Sequence, residues 1–91
     1  MGRPRPKQKR LGEKLLQIRK KLGISQDRMP ERLGQPKVRP GHISEFERNK
    51  REPSLSVLLA YARLARIDLQ YIVNDAVDLP DQIPGEVDHP L

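Results

Sequence analysis

The sequence predicts an all-α domain of five short helices, and three observations carry that prediction. Apolar residues recur at spacings of three and four along each segment able to hold structure, the repeat of a helix face. Glycines and prolines fall where helices would stop and start, and no alternation of apolar and polar residues marks a strand. The chain has 91 residues, room for one small core with tails, and no cysteine. Stability must therefore come from packing and not from disulfides or a thiolate-bound metal.

Residues 1–8 alternate Arg, Pro and Lys, cannot pack a core, and are expected to form a flexible basic arm. From Lys9, the positions Leu11, Leu15, Ile18 and Leu22 define the inward face of a first helix, Lys9–Leu22, that Gly23 stops. Ser25 is a suitable N-cap for a second helix with Met29 and Leu33 inward, ending at Gly34. Pro30 falls in its first turns, where the missing N–H predicts a short, kinked or partly 3₁₀ element.

Gln35 to Arg39 reads as a turn. Pro40 pushes Arg39 out of helical geometry and itself suits a first helical position, so a third helix is expected over Pro40–Arg48, with Ile43 and Phe46 inward. Ser54 opens a fourth helix whose stripe is Leu55, Leu58, Leu59, Ala62 and Ala65. Asp68 can cap a fifth, with Leu69, Ile72 and Val73 inward. The organisation expected is an arm at 1–8, a helical domain at 9–75, and an acidic, proline-punctuated tail at 76–91.

Charge is unevenly placed. The net charge is +6; residues 1–10 carry five bases and no acid, and residues 76–91 carry four acids and no base. A basic body with a basic arm favours a polyanionic partner, the plain competitor being a merely soluble surface. No apolar run approaches the roughly 20 residues of a bilayer-spanning helix, and the basic start lacks the apolar stretch of a signal peptide. A soluble cytoplasmic protein with no membrane association is expected. His42 and His89 are far apart and lack metal-ligand spacing. With no cysteine, no triad arrangement and no glycine-rich phosphate loop, nothing implies an enzyme, a cofactor or a small-molecule ligand.

The second and third helices with their connection have the layout of a helix-turn-helix. The signals are Arg19 within Ile18–Gln26, Arg32-Leu33-Gly34, Ile43-Ser44-Glu45-Phe46-Glu47-Arg48, the basic Asn49-Lys50-Arg51, and Pro53-Ser54 before a leucine-rich helix. In this order and at these distances, residues 11–75 resemble the lambda-repressor-like, Cro-type domains of the XRE family. Three features depart from the family pattern: a connection about three residues longer, through Gln35-Pro36-Lys37; Pro30 where alanine is usual; and a Pro40-Gly41-His42 leading edge.

A helix fits the B-DNA major groove, whose width is about 12 Å, and the N-terminal half of that helix reaches base edges. With Ile43 and Phe46 inward, the candidate base readers are Arg39, Gly41, His42 and Glu45, Gly41 by allowing close backbone approach. Their competing reading is a solvated helix surface. Candidate phosphate contacts are Lys37, Ser44, Asn49, Lys50 and Arg51. The resemblance adds Gln26, at the N-terminus of the second helix, where free N–H groups favour an anion. It also implies a structural ion pair between Arg19 and Glu47. Arg3 and Arg5 are candidates for a minor groove, or else a solubilising leader.

Tyr71, Ile72, Val77 and Leu79 form an apolar strip expected to make a homodimer interface, unless it folds back on its own domain. The resulting expectation is a sequence-specific, double-stranded DNA-binding repressor acting as a dimer. Its rivals are an antitoxin that represses its own operon and holds a toxin through the C-terminal tail, and an interaction module without base reading.

Overall fold

In a computed structural model of the chain, residues 9–85 are described. Five α-helices follow in order: α1 Leu11–Leu22, α2 Met29–Leu33, α3 Pro40–Glu47, α4 Leu55–Ala65 and α5 Gln70–Val73. α1 packs against α3, α4 and α5, while α2 packs against α3 and α4. The core between them takes in most of the expected inward residues, but α4 turns Val57, Ala60 and Tyr61 inward and leaves the expected Leu55 and Leu59 exposed. Leu15, Ile18, Leu22, Met29, Ile43, Tyr61, Ala65 and Ile72 are completely shielded from solvent. Burying each Leu, Ile or Met side chain contributes about 1.5–3 kcal/mol before entropy is counted. That matters most for α2 and α5, which at five and four residues could not persist as isolated helices.

The ends of the helices follow local chemistry. Four of them close with a residue in the left-handed region: Gly23, Gly34, Asn49 and Arg66. At each, paired N–H groups return to the last carbonyls, as where Gly34 donates to Glu31 O and Gln35 to Pro30 O. The Ser54 side chain accepts from the Val57 N–H, capping α4. Arg39 is extended at φ −118° and ψ 163°, and Pro40 opens α3.

Two expected starts are displaced. Ser25 does not cap α2; its Oγ accepts from the Arg28 N–H at 3.2 Å, capping a turn that delivers the chain to Met29. Pro30 supplies the reason. It cannot donate back to Gln26, so regular helix begins only where proline occupies the second position. Asp68 makes no side-chain cap; α5 is a single turn after Leu69.

α1 begins two residues later than expected, and its first turn is satisfied from afar. The Asp75 carboxylate accepts from the Lys9 N–H at 2.8 Å and the Arg10 N–H at 3.4 Å, and Asn49 Oδ1 accepts from the Gly12 N–H at 3.0 Å. Residues 76–85, expected in the tail, instead lie on the domain, with Leu79 and Ile83 packed against the core. Their principal clamp is Lys14. Its side chain is buried, and Nζ donates to the carbonyls of Tyr71, Asn74 and Val77 at 2.7, 2.8 and 2.5 Å. Burial pushes this ammonium below its ordinary pKa, and the nearby Arg10 adds to the effect.

This packing removes Ile72 from the expected dimer strip and leaves Tyr71, Val77 and Leu79 only partly exposed. Ile72 has no exposed surface, Leu79 covers the core, and Tyr71 and Val77 are half-buried with their carbonyls given to Lys14. The strip folds back on its own domain because five short helices leave the end of α1 and α5 uncovered without it. Among the described residues, the large apolar side chains left exposed are Leu55 and Leu59, one turn apart on α4.

Candidate nucleic-acid interface

α3 presents one face inward and one outward. Ile43 and Phe46 are buried, whereas Arg39, Pro40, Gly41, Arg48, Lys50 and Arg51 are exposed and His42, Ser44 and Glu45 are half-buried. Among the described residues, none of the side chains on this outward side is buried. A Cβ built at Gly41 would meet nothing within 4 Å, so packing among the described residues does not require glycine there.

Two outward side chains are oriented by bonds of their own. Nδ1 of His42 accepts from the Arg39 N–H at 3.1 Å, and the ring tilts over Phe46 with centroids 6.5 Å apart. In the neutral imidazole this leaves Nε2 as the donor nitrogen. Glu45 Oε1 accepts from Arg51 Nε at 2.6 Å, linking α3 to the basic loop that follows it. That bond holds the Glu45 carboxyl below its usual range.

Beneath the face, a buried network fixes the helix. Arg19 of α1 donates from Nε and Nη2 to the two carboxylate oxygens of Glu47 at 2.6 and 3.0 Å, and from Nη1 to Ile24 O at 3.0 Å. The pair is almost fully enclosed, at 13% exposure for Arg19 and 4% for Glu47. Hydrogen bonding to Glu47 raises the guanidinium above its ordinary pKa. Burial raises that of the adjacent Tyr61 phenol, which has no hydrogen-bond partner among the described residues.

Two sequence-derived phosphate candidates belong to this scaffold instead. Gln26 lies three residues before α2, not at its N-terminus, and its Nε2 donates to Glu47 Oε1 at 2.9 Å. The displacement follows from Pro30. Asn49, in the left-handed region at φ 57°, turns its amide back to Gly12 and the start of α1. Lys37, Ser44, Lys50 and Arg51 remain around the ends of α3, on or beside its outward face. Arg3 and Arg5 lie outside the described residues.

Sequence reasoning passed over Gly12 and Lys14. A Cβ on Gly12 would come within 2.8 Å of Phe46 O and Asn49 Oδ1, so glycine sets the α1–α3 crossing. The signal for Lys14 was present: it falls three residues after Leu11 and four before Ile18, a charge on the apolar stripe.

Two successive short helices, the second held outward by a buried ion pair and flanked by bases, define a helix-turn-helix domain. Comparison with known proteins places it more closely. A family model described as helix-turn-helix matches residues 15–72. Among solved structures, the chain is similar to the P22 c2 repressor protein, crystallised in complex with synthetic operator 9T in the presence of Tl⁺. The two are 31% identical with a TM-score of 0.62, over 71% of this chain and 94% of the repressor chain. Curated protein sequences give no significant match. The chain belongs to the lambda-repressor-like, XRE-type helix-turn-helix family of DNA-binding transcriptional regulators. No helix among the described residues is long and apolar enough to cross a membrane.

Proposed function

We propose that this protein is a small transcriptional repressor that binds double-stranded DNA with α3 in the major groove, as two copies on neighbouring half-sites. The observation that carries the reading is the open, polar face of α3 with bases at both ends. Gly41 adds to it. Glycine in a helix costs about 1 kcal/mol against alanine, and no described residue fills the space its missing side chain leaves. A duplex approaching the backbone accounts for that residue. That the similar repressor was crystallised with a synthetic operator supports double-stranded DNA as the partner.

Arg39 is suited to fork onto guanine O6 and N7, and His42, with Nδ1 occupied, to donate from Nε2 to a base acceptor. Glu45 accepts from cytosine N4 while Arg51, bonded to it, turns its remaining N–H groups to phosphate. Lys37, Ser44 and Lys50 complete the backbone contacts, whereas Gln26 and Asn49 position the helix that makes them. One such helix reads a short stretch, so specificity calls for two copies about 34 Å apart along the duplex.

Selection from a pool of random duplexes tests this. The expected product is an enriched motif with two-fold symmetry. His42→Ala should then relax preference at one or two positions, at a cost of about 1–3 kcal/mol. Lys50→Ala should weaken every duplex alike and reduce the salt slope by about one. A pool that emerges without any enriched motif refutes the reading.

A further inference from the structure

α3 carries two acids, Glu45 and Glu47. Glu47 is engaged in the buried bond to Arg19, which leaves Glu45 as the one carboxylate of α3 on its outward side. A carboxylate brought to a duplex is opposed by every phosphate near it. It can read a base only where its charge is balanced on the spot. Arg51 supplies that balance, with Nε donating to Glu45 Oε1 at 2.6 Å. The pair is open to solvent, at 50% side-chain exposure for Arg51 and 37% for Glu45.

The backbone after α3 builds this pairing. Asn49 stands at φ 57° and its N–H donates to Phe46 O at 3.1 Å, while the Lys50 N–H donates to Glu45 O at 2.8 Å. The chain therefore reverses over the last turn of the helix and returns Arg51 to Glu45. Glycine is the usual residue in such a left-handed position. Asparagine is held there by its amide, whose Oδ1 accepts from the Gly12 N–H at 3.0 Å and whose Nδ2 donates to Lys9 O at 3.5 Å. The start of α1 thus fixes the turn that carries Arg51. Arg48, the other arginine of this turn, is engaged on its own helix, with Nε donating to Ser44 O at 3.3 Å.

We propose that Arg51 determines base specificity by acting through Glu45, so that a phosphate contact and a base contact work as one unit; this rests on the DNA-binding reading above. With Nε given to Oε1, the two terminal nitrogens of the guanidinium keep their N–H groups for a phosphate oxygen. One planar group then neutralises the carboxylate and fixes its direction. So held, Glu45 accepts from cytosine N4 and repels the acceptor edges of guanine and the O4 of thymine. Without Arg51 the carboxylate rotates freely under phosphate repulsion, and its selectivity becomes a uniform penalty. Lysine cannot stand in, because a single ammonium on a flexible stem does not hold two acceptors in fixed directions.

Titration of the full chain with the duplex enriched by selection tests this, at low salt so that weakened variants still bind. The base pair whose preference Glu45→Ala relaxes is replaced by each of the other three. Wild type should separate the best and worst of these four duplexes by about tenfold or more. Arg51→Ala should bring them within about twofold of one another and lower the salt slope by about one. Arg51→Lys should keep the slope and lose most of the separation. Lys50→Ala should lower the slope with the separation intact, and Arg51→Ala added to Glu45→Ala should weaken all four duplexes alike. The pair is exposed and contributes little to stability, so the variants stay folded. Arg51→Ala that weakens the four duplexes equally, with the tenfold separation preserved, overturns the proposal and leaves the DNA-binding reading standing. Separation preserved in Arg51→Lys, or Glu45→Ala that relaxes no position, overturns it too. A pool without an enriched motif removes both readings together.

Discussion

Glu47 is gripped by Arg19 through both carboxylate oxygens, at 2.6 and 3.0 Å, and the pair is nearly closed to solvent. It ties the end of α3 to the middle of α1, and Gln26 adds a third bond to the same carboxylate. α3 is thus oriented by a buried charge pair as well as by the packing of Ile43 and Phe46.

Removing one partner strands the other charge. Arg19→Ala is expected to cost about 3–5 kcal/mol in urea unfolding, whereas Arg19→Met with Glu47→Met should recover most of that loss. A double variant as unstable as the single one would assign the effect to packing.

Gly12 sets how closely α1 and α3 cross. Alanine there would force its Cβ against the carbonyls of Phe46 and Glu47, both within 2.8 Å. Gly12→Ala should destabilise by about 1–3 kcal/mol despite alanine's better helix propensity, and should weaken DNA binding by tilting α3. Thermal unfolding and a duplex titration check the two halves.

Lys14 satisfies three carbonyls at once. Lys14→Met retains most of the side-chain volume but leaves those acceptors without their donor, so it should cost about 2–4 kcal/mol. Hydrogen exchange in residues 74–85 should rise well before the rest of the domain opens. Uniform exchange across the chain would contradict the clamp.

Glu45 titrates below the usual carboxylate range because Arg51 bonds its ionised form. The sign follows: the pair is intact above about pH 4.5 and is lost as pH falls through the lower folded value. Carbon-detected NMR should place the Glu45 midpoint below 4.5 in the wild type and return it upward in Arg51→Ala. An unmoved midpoint would dissociate the two groups.

Much of the architecture was legible as local chemistry. The spacing of Leu11, Leu15, Ile18 and Leu22 marks a buried helix face wherever the helix sits, and Pro40 dictates both the extended Arg39 and the start of α3. Gly23 and Gly34 stop helices because a left-handed residue is cheapest there. Such rules act within one turn of chain, which is why helix order, the inward residues of α1 and α3 and the outward set on α3 followed from the residues alone. On α4, by contrast, Leu55 and Leu59 were expected inward and Tyr61 took the core instead. What covers a face, and which distant acceptor a polar group finds, depends on chain brought together in space. Asn49 is drawn to Gly12, Gln26 to Glu47 and Lys14 to the end of α5 by contacts 21 to 63 residues apart. The apolar strip at the end of the domain shows the same division: its sequence announces a surface to be buried, but only the tertiary structure shows Leu79 and Ile83 packed on the core, because which apolar surfaces meet is decided by chain distant in sequence.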